Sequence, residues 1–168
     1  MHLDPPEIIA EIDRLSSIEG PSEEFPLLLI GMRELRSHNS WMHNSEKLMR
    51  GDRVHRARIH PEDAEARGIA EGDHCRIASP HGEVELVATL TDEVKRGTIA
   101  APHGWGHAGG WRLANAAGGA NINVLASSAP EDLEPLAGMA HLNGIPVRIE
   151  PVGPGAEQSR DEAVAAGA

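Results

Sequence analysis

The chain has 168 residues and a net charge of −11, long enough for one domain with a buried core plus a tail. The acidic balance argues against a free nucleic-acid backbone as partner. No apolar run reaches the roughly twenty residues that span a bilayer, and no charged-then-apolar leader opens the chain, so the expectation is a cytoplasmic protein that makes no membrane contact itself.

Aromatic content of 2% leaves Val, Ile, Leu and Ala to build the core, while eighteen Gly and twelve Pro favour short β elements over a helical bundle. The single cysteine, Cys75, excludes an intrachain disulfide and an iron–sulfur cluster held wholly by this chain's thiolates. It sits in a strand-like alternation, where a structural role outweighs a nucleophilic one.

Residues 4–19 read as a helix, with Asp4 as cap, Pro5 and Pro6 in the first turn, and Ile8, Ile9, Ile12 and Leu15 on one apolar face. Nothing on it looks chemical, and its apolar face suits packing against another domain. Residues 1–23 are thus an N-terminal helix and linker, 24–152 the folded domain and 153–168 a disordered tail without a core-forming pattern. Leu27-Leu28-Leu29-Ile30, stopping at Gly31, predicts a buried strand. A polar loop follows, rich in donors: Arg33, Arg36, Ser37, His38, Asn39, Ser40, His43 and Asn44.

Between Arg33 and His60 seven Lys or Arg face three acids, which suits a small anionic ligand or a solvated surface balanced by acids elsewhere. Val54–Ile59 alternates as a half-exposed strand, and Pro61 opens a short helix that Gly68 stops. Cys75–Ala78 and Glu83–Leu90 form a hairpin around Ser79–Gly82, and Thr98–Ala101 is a further strand. Residues 102–119 read as Gly- and His-rich loop, 121–126 regains some order, 127–138 is a connector, and 144–150 is the last strand. About six short strands with two brief helices between them predict a small closed barrel.

His38/His43 and His103/His107 lack a helical register or a second ligand set, so no metal site is expected, although a His-rich metal binder stays as a separate reading. No nucleophile elbow, Walker loop or dinucleotide-fold glycine pattern occurs, and no catalytic residue is assigned. A binding site remains. Arg33 and Arg36 can fork onto phosphates, and Glu34 can accept from a guanine's N–H edge. Gly104, Gly106, Gly109 and Gly110 allow close backbone approach, Trp105 offers a flat wall, and Asn121, Asn123 and Asn143 offer amides to a heterocycle. Equally, these Gly and Asn residues can simply shape turns.

Four separated blocks, LLLIGMRELRSHNSWMHNS, HPEDAEARGIAEGDHCRIASPHG, PHGWGHAGG with GGANINVLA, and LNGIPVRIE, occur in order. Together they resemble the C-terminal molybdopterin-dinucleotide-binding domain of molybdenum/tungsten oxidoreductases, in the formate dehydrogenase and nitrate reductase group, over about residues 24–152. The resemblance implies a mainly β fold, a six-stranded double-psi β-barrel with short helices, that caps a catalytic subunit, most like that of the formate dehydrogenase branch, and holds part of a bis(molybdopterin guanine dinucleotide) cofactor. It implies that Gly31, Arg33, Glu34, Ser37, His38, Asn39 and Ser40 contact the guanosine diphosphate arm, with Arg36 beside them. It places His103, Gly104, Trp105, Gly106 and His107 towards the pterin, and Asn121, Asn123 and Asn143 along the same groove. Members often carry Gly-Arg-Arg after the first strand, where this chain has Gly31-Met32-Arg33, so Met32 lacks that phosphate contact. The metal ligand, catalytic residues and cluster cysteines of such enzymes lie in other domains, which are the expected partners. By itself the chain is not expected to be catalytic. A barrel retained as an interaction or assembly module, without ligand binding, is the alternative.

Overall fold

Alternating burial along short strands shapes this molecule. The computed structural model describes residues 5–14, 20–51, 53–109 and 112–153. In chain order the elements are α1 (Pro6–Arg14), β1 (Leu27–Met32), β2 (Arg56–Ile59), α2 (Pro61–Glu65), β3 (His74–Ala78), β4 (Glu83–Leu90), β5 (Thr98–Pro102), α3 (Arg112–Ala116) and β6 (Asn143–Pro151). Two short 3-10 turns, Ile122–Leu125 and Pro130–Asp132, lie between α3 and β6.

The six strands close into a barrel in the order β1-β5-β2-β4-β3-β6. β5 enters between β1 and β2, parallel to β1 and antiparallel to β2. β4 likewise enters between β2 and β3, parallel to β2 and antiparallel to β3. These two interleaved crossings make the double-psi arrangement. Closure leaves no strand edge exposed.

In β2 and β4 every second residue points inward, so Ala57, Ile59, Val84, Leu86 and Ala88 fill the barrel while Arg56 and Arg58 face outward. Leu27, Leu29, Ile77, Ile99, Val147 and Ile149 complete the aliphatic core, as the scarcity of aromatics requires. Cys75 lies in that core, and burial pushes its thiol up to about 11, which keeps it unreactive. His60 caps α2 by accepting the Glu62 N–H, with Pro61 at the first helical position. Asp63 then accepts the Gly97 N–H and ties α2 to the turn before β5.

The structure departs from the sequence expectations in two places. β1 does not stop at Gly31 but runs through it to Met32, because Gly31 pairs with Ala101 of β5 in ordinary extended backbone. The 102–119 segment contains a short helix, α3, whose first amide region is held by Asn44 accepting the Leu113 N–H. The N-terminal helix is seen from Pro6 to Arg14, while Asp4, Leu15 and the predicted tail from 154 onward lie outside the described residues.

Replacing Ile59, which is fully buried, by Ala is expected to cost about 2–4 kcal/mol through lost burial and a residual cavity. Ile12→Ala on the exposed face of α1 should change stability by no more than about 0.5 kcal/mol. Urea unfolding checks both, with an unchanged m-value for each.

Candidate functional site

Two long loops meet at one end of the barrel: residues 33–50 after β1 and residues 103–109 after β5. A carboxylate joins them. Glu34 Oε2 accepts from the Arg53 guanidinium at 2.9 Å, the Ser37 hydroxyl at 3.0 Å and the Trp105 indole N–H at 2.9 Å. The Ser37 hydroxyl in turn accepts from Arg53 at 2.8 Å and from His43 Nε2–H at 2.8 Å. Arg53, with a side chain only 8% exposed, also lies 5.3 Å from the Trp105 ring centroid.

Trp105 is buried and covered by other rings. His55 stacks on it at 5.2 Å and 8°, and His43 lies tilted against it at 4.6 Å. His55 donates Nε2–H to the Pro102 carbonyl at 2.7 Å and accepts the Ala120 N–H at Nδ1. Both ring nitrogens are thus satisfied in the neutral form. Burial, the largest cause, holds its pKa down at about 4. The pKa of His43 is also lowered, first by burial and then by the Arg53 charge.

The backbone around this knot is constrained. His38 and Asn39 both adopt left-handed conformations, with φ of 46° and 59°. Gly104, at φ 87°, sits so close beneath them that a Cβ there would fall 2.5 Å from the Asn39 carbonyl oxygen. Gly106 is equally restricted, since a Cβ would meet the backbone of Ala120 and Asn121.

Three cavities open around the loops. The first, of about 460 Å³, is lined by Gly31, Arg33, Asn39, His103, Gly104, Asn123 and Asn143, with Leu29, Ile122, Leu142 and Ile145 as apolar walls. A register shift between β1 and β6 after Leu29 sets Asn143 opposite Ile30, where its Oδ1 accepts the Gly31 N–H at 2.9 Å. Asn39 Oδ1 accepts from His103 Nε2–H at 2.8 Å and from Arg33 at 3.3 Å. With both oxygens occupied, the Nδ2 groups of Asn39 and Asn143 are left as donors. The second cavity, also about 460 Å³, is lined by Arg33, Glu34, Arg36, Arg53, Arg56, Arg58 and Thr89 among others. The third, of about 410 Å³, is lined by Ser40, Trp41, Asn44, His107 and Ala114.

The predicted residues therefore divide. Gly31, Arg33, Asn39, His103, Gly104, Asn123 and Asn143 converge on the first cavity, Glu34 and Arg36 line the second with Arg33 shared, and Ser40 and His107 line the third. Five others line none of the three. Ser37 and Trp105 are buried in the Glu34 knot, so Trp105 offers no free face to a ligand. His38 is exposed beside Trp41, Gly106 packs on residues 120–121, and Asn121 caps the 3-10 turn by accepting the Asn123 N–H.

Glu34 spends one carboxylate oxygen on three protein donors and does not face the amide groups. Sequence reasoning assigned no place in the site to Arg53, His55, Arg56 and Arg58, although the basic excess around them was the available signal. Among the described residues no group of three or more His, Cys, Asp or Glu is placed to hold a metal, and no helix is long and apolar enough to cross a membrane.

A family model described as "Molydopterin dinucleotide binding domain" matches residues 27–146. The chain is 33% identical over 148 residues to the molybdopterin-containing subunit of an arsenate respiratory reductase from Shewanella sp., covering 79% of this chain and 17% of that protein. It is 40% identical over 93 residues to a trimethylamine-N-oxide reductase from Haemophilus influenzae, covering 54% of this chain and 10% of that protein. Acetylene hydratase from Pelobacter acetylenicus shares the fold, with a TM-score of 0.68 at 24% identity over 80% of this chain and 21% of that one. The chain thus spans no more than about a sixth of the two reductases' length.

Glu34→Ala strands the Arg53 charge and is expected to destabilise the chain by about 2–3 kcal/mol, at the low end for a buried pair because Glu34 keeps some solvent contact. Glu34→Gln, which keeps an acceptor, should cost less. Chemical unfolding of the three proteins separates these outcomes. The depressed His55 pKa sets a second expectation. The unfolded ring takes up a proton near its ordinary 6.5 and the folded ring only near 4. The contribution is therefore full above pH 6.5 and is lost as pH falls towards 4, a change of about 3 kcal/mol. Unfolding midpoints between pH 6.5 and 5 should drop for the wild type and much less for His55→Gln.

Proposed function

Because the chain belongs to the molybdopterin dinucleotide binding domain family, we propose that its amide-lined cavity holds the guanine dinucleotide arm of a molybdopterin cofactor, as the cap domain of a larger oxidoreductase. The observation that carries this reading is the convergence of Gly31, Arg33, Asn39, His103, Asn123 and Asn143 on one cavity of about 460 Å³. The lining fits such a group. Asn39 and Asn143 offer amide N–H donors to the carbonyl and ring-nitrogen acceptors of a heterocycle. Arg33 stands at the rim with a fork suited to phosphate. Leu29, Ile122 and Ile145 supply the apolar walls that exclude water from a planar ring.

When bound, the cofactor supplies the metal-centred redox chemistry. This chain's residues grip and orient it: Asn143 through its hydrogen bond to β1, and Asn39 through His103 and the Gly104 contact that fixes its left-handed backbone. No residue of this chain is assigned to the redox step. The named relatives favour a parent enzyme of the reductase type, such as those for trimethylamine N-oxide or arsenate, over the formate dehydrogenase branch expected from sequence. Exposed Leu35 and Trp41 on the first loop, with Ile8, Ile9 and Ile12 on α1, supply apolar surface for the remaining domains of that enzyme.

Titration of the ¹⁵N-labelled chain with GDP should shift the amides of Gly31, Asn39, His103 and Asn143. Asn143→Ala should weaken that binding about tenfold, the loss of about 1.4 kcal/mol typical of one hydrogen bond. Shifts confined to another face of the barrel would falsify the assignment.

A further inference from the structure

We propose that Asn143–Gly144 is a self-modifying site. In the folded chain the Asn143 side chain closes onto the next backbone amide, loses ammonia and becomes aspartate or isoaspartate in the wall of the amide cavity. The chain has six asparagines, and only Asn143 precedes a glycine. The others precede Ser, Ala, Ile or Val, whose side chains crowd the nitrogen that must attack. Crowding is greatest at Asn121 and Asn123, where the next residue is β-branched.

A regular ladder slows this reaction, since closing the five-membered ring turns the peptide out of its extended conformation. Here the ladder is interrupted. The β1–β6 register passes from Ile145 opposite Leu29 to Asn143 opposite Ile30 and skips Gly144. Gly144 itself lies in the left-handed region, at φ 75°. A glycine in a bulge can re-orient with no side chain to move. A Cβ built at Gly144 would meet nothing within 4 Å, and both residues are exposed. The ring therefore has room to form, and water can reach it.

A second feature of the fold is electronic. The Gly31 N–H donates to Asn143 Oδ1 at 2.9 Å, which fixes the orientation of the amide and polarises its carbonyl. When the Gly144 nitrogen gives up its proton to solvent base and attacks Cγ, negative charge gathers on Oδ1. A backbone donor already aimed at that oxygen stabilises the charge as an oxyanion hole does. Collapse of the intermediate breaks Cγ–Nδ2 and releases ammonia, which takes its extra proton from water. Water then opens the succinimide at either carbonyl, giving aspartate or isoaspartate. The balance needs only water.

The product carries a carboxylate where the Nδ2 donor stood. In the aspartate form an oxygen still accepts the Gly31 N–H, so the junction between β1 and β6 survives. The donor to a heterocycle is lost. The new negative charge lines the cavity together with Arg33 and competes with a phosphate for that guanidinium. This consequence rests on the function proposed above, whereas the conversion itself does not. A ligand seated against Asn143 shields the reacting amide from water, so an empty domain ages at this position and an occupied one is protected.

Incubation of the full chain in mildly alkaline buffer, followed by peptide mapping with mass spectrometry, tests the site. Conversion of amide to acid, with isoaspartate in the mixture, is expected at Asn143 ahead of the other five asparagines. Its rate should lie within about tenfold of that in the same chain unfolded in urea. Stronger protection of Asn143 in the folded chain, or faster conversion at any other asparagine, overturns the site.

Two further measurements separate the conversion from its consequence. Asn143→Asp should unfold at the same urea concentration as the wild type and bind GDP at least about tenfold more weakly. Saturating GDP should slow the conversion of the wild type severalfold. If Asn143 converts but GDP neither binds nor slows it, the modification site stands and the reading of the amide cavity falls.

Discussion

The Glu34–Arg53 ion pair, locked onto the Trp105 indole, is the interaction on which the rest of this end of the barrel depends. A single carboxylate oxygen collects three donors from three segments of chain: the loop after β1, the approach to β2 and the loop after β5. Arg53 is nearly buried, and an unpaired charge there would cost several kcal/mol. The pair therefore fixes the relative position of two loops that share no sheet hydrogen bonds within themselves. His43 and His55, whose pKa values burial lowers, pack against the same indole.

From that knot two chemically different cavities follow, separated by Arg33. On one side the donors are amides and an imidazole set against apolar walls, suited to a heterocycle. On the other the lining is dominated by guanidiniums, suited to phosphate. A neutral, directional site discriminates by hydrogen-bond pattern, while a cationic groove adds attraction over a longer range and is weakened by salt. The fold keeps them apart by strand alternation. β2 sends Ala57 and Ile59 into the core and Arg56 and Arg58 outward, so the groove adds charge without perturbing the barrel interior.

Backbone geometry in the loops places two amides at the first cavity. The backbone is left-handed at both His38 and Asn39, and Gly104 packs directly against the Asn39 carbonyl. The conformation delivers the Asn39 amide to the cavity beside His103, 64 residues further along the chain. The bulge between β1 and β6 does the same for Asn143.

By itself the sequence determined the β-rich character, nearly every strand, the helix opened by Pro61, the aliphatic core and the structural place of Cys75. These are local matters, since a strand's side chains alternate with a period of two and glycine and proline mark its turns. It also supplied Gly31, Arg33, Asn39, His103 and Asn143 as binding candidates, through their polar loops. Only the tertiary structure decided that Trp105 and Ser37 are buried against Glu34, that Glu34 faces Arg53, and that Arg56 and Arg58 share a groove with Thr89. Those outcomes rest on partners far apart in the chain, 71 residues for Glu34 and Trp105 and 112 for Gly31 and Asn143. No periodicity encodes such pairings, because they arise only when barrel closure brings the ends of distant strands together.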